Sequence, residues 1–179
     1  GIVGSSSNLD FLEIKVDDKI QFGTWGESKW RVMAGSYLND NMVRVADFKY
    51  FRRSDPYWFS NPLMSFQLLR PEAAAIFTTK PYFQGNFKHG FEGSLLNKVP
   101  LVRRAKLQTV VGAGTLLLGE SNFKHAEMFA GIELPIRIRK QLFKVGTYYS
   151  IAQSTVTNFS GEFKFGIDFF NDFTNSWSY

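Results

Sequence analysis

The feature that most constrains this chain is a two-residue rhythm. Leu12, Ile14, Val16, Ile20 and Phe22 alternate with Glu13, Lys15, Asp17, Lys19 and Gln21. The same alternation of apolar with charged, amide or glycine residues returns seven times. It runs from Trp30 to Leu38, Met64 to Leu68, Phe83 to Phe91, Leu107 to Leu117, Met128 to Ile136, Phe143 to Ile151, and Phe159 to Phe169. Successive side chains of a strand point to opposite faces, so each segment reads as a half-buried β-strand. None carries a helical stripe. The rhythm predicts an all-β, antiparallel fold.

Period two does not say which face meets which solvent. Segment length speaks to that: each offers roughly 8–13 residues, and a tilted strand uses about 9–11 to cross a bilayer, against ~5–6 for an average globular strand. In a membrane barrel the apolar face turns to lipid and the polar face to the lumen. Gly112, Gly114, Gly131, Gly146 and Gly166 all fall on the polar face, where inward curvature crowds the chain; on a solvated outer face they would only weaken the strands. Rings gather near segment ends, at Phe22, Trp25, Trp30, Tyr37, Tyr57, Trp58, Phe91, Phe169 and Phe170, as interfacial girdles require. The expected architecture is an antiparallel transmembrane β-barrel, with about eight strands here or as the C-terminal part of a larger barrel. A soluble lipocalin-like β-barrel that binds an apolar ligand shares the rhythm and stands as the alternative.

On the membrane reading Ile14, Val111, Ile132, Phe163 and Phe165 face lipid. Glu127, Glu133, Arg137, Lys144, Glu162, Lys164 and Asp168 face the lumen, forming an ion-pair network that plugs the interior rather than a selectivity lining. Asp18 and His89 fall on the apolar face. For Asp18 this calls for either a bulge at Asp17–Asp18 or a place near the headgroups. Residues 1–8 read as a linker or fragment start, 9–170 as barrel strands, and 171–179 as a tail or the end of the last strand.

Composition narrows the function classes. A chain of 179 residues is one domain or a piece of one, and 44% hydrophobic residues with 19 Phe, 7 Tyr and 4 Trp favour β structure over disorder. There is no Cys, hence no disulfide framework and no thiolate chemistry. The net charge of +5 is spread out, so no nucleic-acid footprint is read from it. No run of about 18 apolar residues forms a transmembrane helix. His89 and His125 lack carboxylates at ligand spacing, and "GAGTLLLG" lacks the strand–turn–helix setting of a dinucleotide site. No Ser/His/Asp constellation stands out. The expectation is a non-enzymatic protein with no cofactor and no metal.

Counting eight strands places connectors 39–62, 93–104 and 138–140 on one rim, with 23–26, 71–78, 120–124 and 153–158 on the other. The first rim then gathers the basic residues, among them Lys49, Arg52, Arg53, Lys98, Arg103 and Arg104, as candidates for headgroup or partner contact. The chain's end falls on the same rim, which suggests a periplasmic side. The long connector there packs under or into the barrel, meets a partner, or stays solvated.

The segments "DFKYFRRSDPYWFSNPLMSFQLL" and "YFQGNFKHGFEGSLLNKVPLVRRAKLQTVVGAG" resemble the C-terminal barrel of a Bacteroidota outer-membrane family of carboxypeptidase-regulatory-like domain proteins, which includes a domain of unknown function. The resemblance rests on Asp47-Phe48-Lys49, Leu68-Leu69, Lys88-His89, Phe91-Glu92-Gly93 and the turn Leu96-Asn97-Lys98-Val99-Pro100-Leu101, and covers roughly Leu12 to Phe170. It implies an outer-membrane β-barrel made as a longer precursor with a preceding periplasmic immunoglobulin-like domain. Membrane lipids would be its surroundings and other outer-membrane or periplasmic proteins its partners, in a structural, assembly or transport role. The family is distantly similar to the barrel-assembly and translocation superfamily. This chain departs from that superfamily in lacking an arginine-glycine-aromatic lid-loop motif.

Overall fold

The computed structural model describes residues 8–42, 44, 47–70, 77–91, 106–119, 122–138 and 141–168. Among them lie nine strands: β1 (Asn8–Gln21), β2 (Glu27–Met42), β3 (Lys49–Tyr50), β4 (Phe77–Thr78), β5 (Tyr82–Gly90), β6 (Gln108–Leu118), β7 (Phe123–Ile138), β8 (Gln141–Ser154) and β9 (Ser160–Asp168). The short β3 and β4 pair with each other. The other seven form one sheet in the order β1-β2-β5-β6-β7-β8-β9, and every neighbouring pair is antiparallel. This is the all-β antiparallel fold that the alternation predicts. The sheet is open, with β1 and β9 at its edges.

Seven of the eight alternating segments are sheet strands. Met64–Leu68 is not. Its apolar and polar side chains are buried together, with Leu63, Ser65, Phe66, Gln67, Leu68 and Leu69 all covered. Gln67 alternates with apolar neighbours because its amide closes a loop: Nε2 donates to Ser60 O at 3.0 Å and Ser65 O at 3.1 Å, and Oε1 accepts from Ser60 N at 3.2 Å.

The rims change as a result. Without a strand at 64–68 the chain leaves β2 and re-enters at β5 on the same rim, so 43–81 is one connector. We call this the connector rim; the opposite one, which carries the β1–β2 turn, is the hairpin rim. In that turn Gly26 has φ +104°, and a Cβ there would lie 1.9 Å from Gly90 O; only glycine allows so close an approach. Lys49, Arg52 and Arg53 belong to the connector rim. The connector of Lys98, Arg103 and Arg104 spans β5 to β6 and so begins and ends on the hairpin rim; those three residues lie outside the described ones. The two connectors therefore leave the sheet from opposite rims, not from one.

The register through Asp17↔Arg31 and Asp18↔Trp30 is unbroken, and the irregularities lie between Asn8, Asp10 and Phe11. Asp18 thus keeps its place on the apolar face without a bulge, three residues from the strand's end at the hairpin rim, and its Oδ1 accepts Lys19 N at 2.7 Å. His89 is also near that rim, with Nδ1 2.7 Å from Ser28 Oγ and Nε2 3.2 Å from Trp25 O. Phe22 and Trp25 are exposed there. Tyr57 and Trp58 are not at a strand end: they lie beside mid-β9, where Phe59 N donates to Phe165 O at 2.7 Å and Phe165 N to Tyr57 O at 2.9 Å.

Candidate functional site

The sheet's two faces are unlike in the sense opposite to a water-soluble core. Phe163 is 73% exposed; the next residue, Lys164, is 1% exposed. Ile14, Ile132 and Phe165 share the exposed face, with Val111 half-buried in a groove of about 510 Å³ among Phe87, Ala113, Met128, Ala130 and Tyr149. The polar face is covered instead by residues 47–70, which fold back across it.

Two apolar clusters hold that cover. Near the connector rim Phe51, Phe66 and Leu69 pack with Tyr82, Leu116, Leu118 and Phe123. Farther along, Phe59 joins Val110, Phe129 and Tyr148, its ring stacked on Tyr148 with centroids 3.6 Å and planes 8° apart. Between and around them stand polar anchors from four strands. Arg31 on β2 donates to Leu63 O at 3.4 Å while its guanidinium holds Asp17 at 2.9 Å. Asn86 on β5 donates to Pro62 O at 2.9 Å. Glu127 on β7 accepts Gln67 N at 2.8 and 2.9 Å and Leu68 N at 2.9 Å. Lys164 on β9 donates to Asp55 O at 2.6 Å. Buried backbone groups of an irregular segment need such partners, since each left unpaired costs about 1–3 kcal/mol. Irregular backbone lies here against polar side chains because they replace the water it would otherwise bind.

A second network surrounds Glu133, 2% exposed. Its carboxylate accepts Tyr148 Oη at 3.0 Å and lies 3.5 Å from Lys88 Nζ and 3.6 Å from Lys144 Nζ. Two cations and a phenol around one buried carboxylate satisfy most of its acceptor capacity, the condition for a charge to persist away from water. At the sheet's first strands Glu13 receives Lys49 Nζ and Tyr82 Oη. Lys49 is thus held in an ion pair, while Arg52 and Arg53 are exposed.

Glu127, Glu133, Lys144, Glu162 and Lys164 all belong to the covered face, but they make separate networks. Glu127 and Lys164 hold the connector; Glu133 and Lys144 pair with each other; Glu162 meets Arg70 at 3.4 Å beside a pocket of about 290 Å³ that Arg53, Gln67 and Lys164 also line. Arg137 and Asp168 occupy polar-face register positions opposite Leu142 and Lys144. Arg31, Asn86, Gln67 and His125 were not singled out as site residues by the alternation. Arg31 and Asn86 have the right parity, yet nothing in the linear pattern marks their carbonyl partners. His125, 3.3 Å from Glu127 and edge-on to Phe66, is a packed member of the anchor.

Among the described residues no group of three or more His, Cys, Asp or Glu could hold a metal ion, and no helix is long and apolar enough to cross a membrane, which says nothing of strands. Neither a curated protein nor a solved structure matches the chain. A family model does match, from residue 1 through β1–β6 and the folded-back connector to Ile132 in β7. Over residues 1–132 it is that of the C-terminal domain of a family of unknown function, DUF5686, and the chain belongs to this family.

Proposed function

We propose that this chain is the membrane-embedded sheet of a non-enzymatic outer-membrane β-barrel protein, with a structural, assembly or transport role in the bacterial envelope. The observation that carries this reading is the inverted burial of neighbours on one strand, Phe163 at 73% and Lys164 at 1% exposure. The same inversion holds across the sheet. Leu12, Val16, Phe87, Met128, Ile136 and Val145 are exposed, while Arg31, Lys88, Glu127 and Glu133 are buried. Monomeric soluble proteins rarely present an apolar surface of that extent to water, whereas a barrel in lipid requires it. Strand length supports the reading too, since the seven sheet strands run from 9 to 16 residues against about 9–11 for a crossing.

A lipocalin-like barrel needs the reverse arrangement, with rings enclosed and charges outside. The folded-back connector in turn favours a closed resting state. With residues 47–70 anchored to four strands, solutes pass only if that segment moves.

Nitroxides at Ile132 and Phe163 in the protein reconstituted in vesicles test the assignment. Collision with oxygen should be high and with a water-soluble nickel chelate low at both positions. High nickel accessibility at both, as in bulk water, would overturn it.

A further inference from the structure

We infer that the pocket between the folded-back connector and the start of β9 binds a water-soluble phosphate dianion, inorganic phosphate or a small phosphomonoester, through Arg53, Arg70 and Lys164. The pocket measures about 290 Å³, at the small end of the range for ligand sites. Three cations and one carboxylate, Glu162, line it, which leaves two positive charges. A phosphomonoester carries about −1.5 to −2 at neutral pH, so it matches the pocket in charge as well as in size. A single carboxylate would leave one of those charges uncovered.

Lys164 is the anchor. Its side chain is almost fully buried, and an ammonium has three protons to donate. One goes to Asp55 O at 2.6 Å. Lys164 makes no ion pair among the described residues; Glu162, Glu127 and Asp55 act on it only at longer range. Glu127 is moreover engaged with Gln67 N and Leu68 N. Buried charges are ordinarily paired, and an anion in the pocket completes this one. The Arg53 side chain is exposed and has no hydrogen bond or ion pair among the described residues. Arg70 has only its 3.4 Å contact with Glu162. The neutral lining donors are already committed, the Gln67 amide to Ser60 O and Ser65 O and the Ser54 hydroxyl to Trp58 O.

The walls are set without a ligand. Ser54 N donates to Phe66 O at 2.7 Å and Phe66 N to Arg52 O at 2.9 Å, which fixes the backbone on both sides of Arg53. Such preorganisation lowers the cost of binding. Arg53 and Arg70 stand on the two limbs of the connector and Lys164 on β9, so a bound phosphate ties the cover to the sheet. Lys164 belongs to the polar face, whereas its neighbours Phe163 and Phe165 are exposed on the other. The phosphate therefore comes from water and not from a lipid headgroup. That choice of source rests on the membrane reading above; the phosphate site itself does not.

The test is calorimetric titration of the protein in neutral detergent micelles with inorganic phosphate and with glycerol phosphate, against sodium chloride at equal ionic strength. The expected result is one saturable site per chain that chloride does not fill. Arg53→Gln, which breaks no contact within the protein, should weaken binding about tenfold, as loss of a charge-assisted hydrogen bond does. Glu162→Gln should tighten it about tenfold, because it releases Arg70 and removes the like charge facing the phosphate. No saturable heat, or equal affinity in all three proteins, would overturn the inference. Short-chain phosphatidic acid added to the micelles should leave the phosphate isotherm unchanged; competition would seat a lipid headgroup there and overturn the soluble source. The nitroxides at Ile132 and Phe163 report the membrane reading separately, so the two can fail apart.

Discussion

Gly131 leaves the space that the ring of Tyr148 fills: a Cβ at Gly131 would stand 2.3 Å from Tyr148 Cδ1 and 2.8 Å from Thr147 O. Tyr148 in turn carries the stacked Phe59 and donates to Glu133. The missing side chain therefore supports both the cover and the ion-pair network.

Gly131→Ala is expected to destabilise the protein by about 1–3 kcal/mol, the usual cost of overpacking. Gly90→Ala, where nothing lies within 4 Å of the added carbon, should stay within about 0.5 kcal/mol of wild type. Urea unfolding in detergent micelles compares them, and equal midpoints would count against the tight seat.

Glu127 serves two consecutive backbone N–H groups, those of Gln67 and Leu68. Glu127→Ala leaves both unpaired at about 1–3 kcal/mol each; Glu127→Gln keeps one acceptor oxygen and should lose less. Hydrogen exchange at the two amides reads the difference, with roughly tenfold faster exchange for each 1.4 kcal/mol lost. Unchanged exchange in the alanine variant would show that the carboxylate is not the clamp.

A charge on the exposed face separates lipid from water as its surroundings. Ile132→Arg should cost about 2–4 kcal/mol if the site is near the bilayer midplane, but stay within about 0.5 kcal/mol on a solvated surface. Asp18→Asn, close to the hairpin rim, should move stability by only about 0–1 kcal/mol. Unfolding from lipid vesicles measures both.

Lys164→Met keeps the buried stem and removes the donor to Asp55 O, a charge-assisted bond of about 1.5–3 kcal/mol. Combined with Arg31→Met, which frees Leu63 O, it should loosen the cover at both ends. Limited proteolysis should then cut within 47–70 sooner than in wild type, and planar bilayers should show conductance bursts that wild type lacks. An intact, silent double variant would place the holding energy in the aromatic clusters.

Strand identity was legible in the sequence because burial on one face of a strand writes itself at every second residue; Glu127, Glu133 and Lys164 are on the face their parity assigns. The segment at Met64–Leu68 shows the limit. Phe66 and Leu68 are buried by packing, and Gln67 because its amide closes a loop, so two unrelated causes imitate one strand. Counting that segment as a strand puts the 93–104 connector on the same rim as Lys49, Arg52 and Arg53, whereas β5 ends and β6 begins on the opposite one. Pairings such as Arg31 with Leu63 O could not be read at all, since a backbone carbonyl has no residue identity to betray it.

The fold-back segment has a bearing on biogenesis. Its holders on β5, β7 and β9 all lie downstream in the chain, and Lys164 comes 109 residues after Asp55. A polypeptide emerging from its N-terminus makes the segment before most of its seat exists. Docking is thus a late, high-contact-order closure, which registers that β9 has arrived.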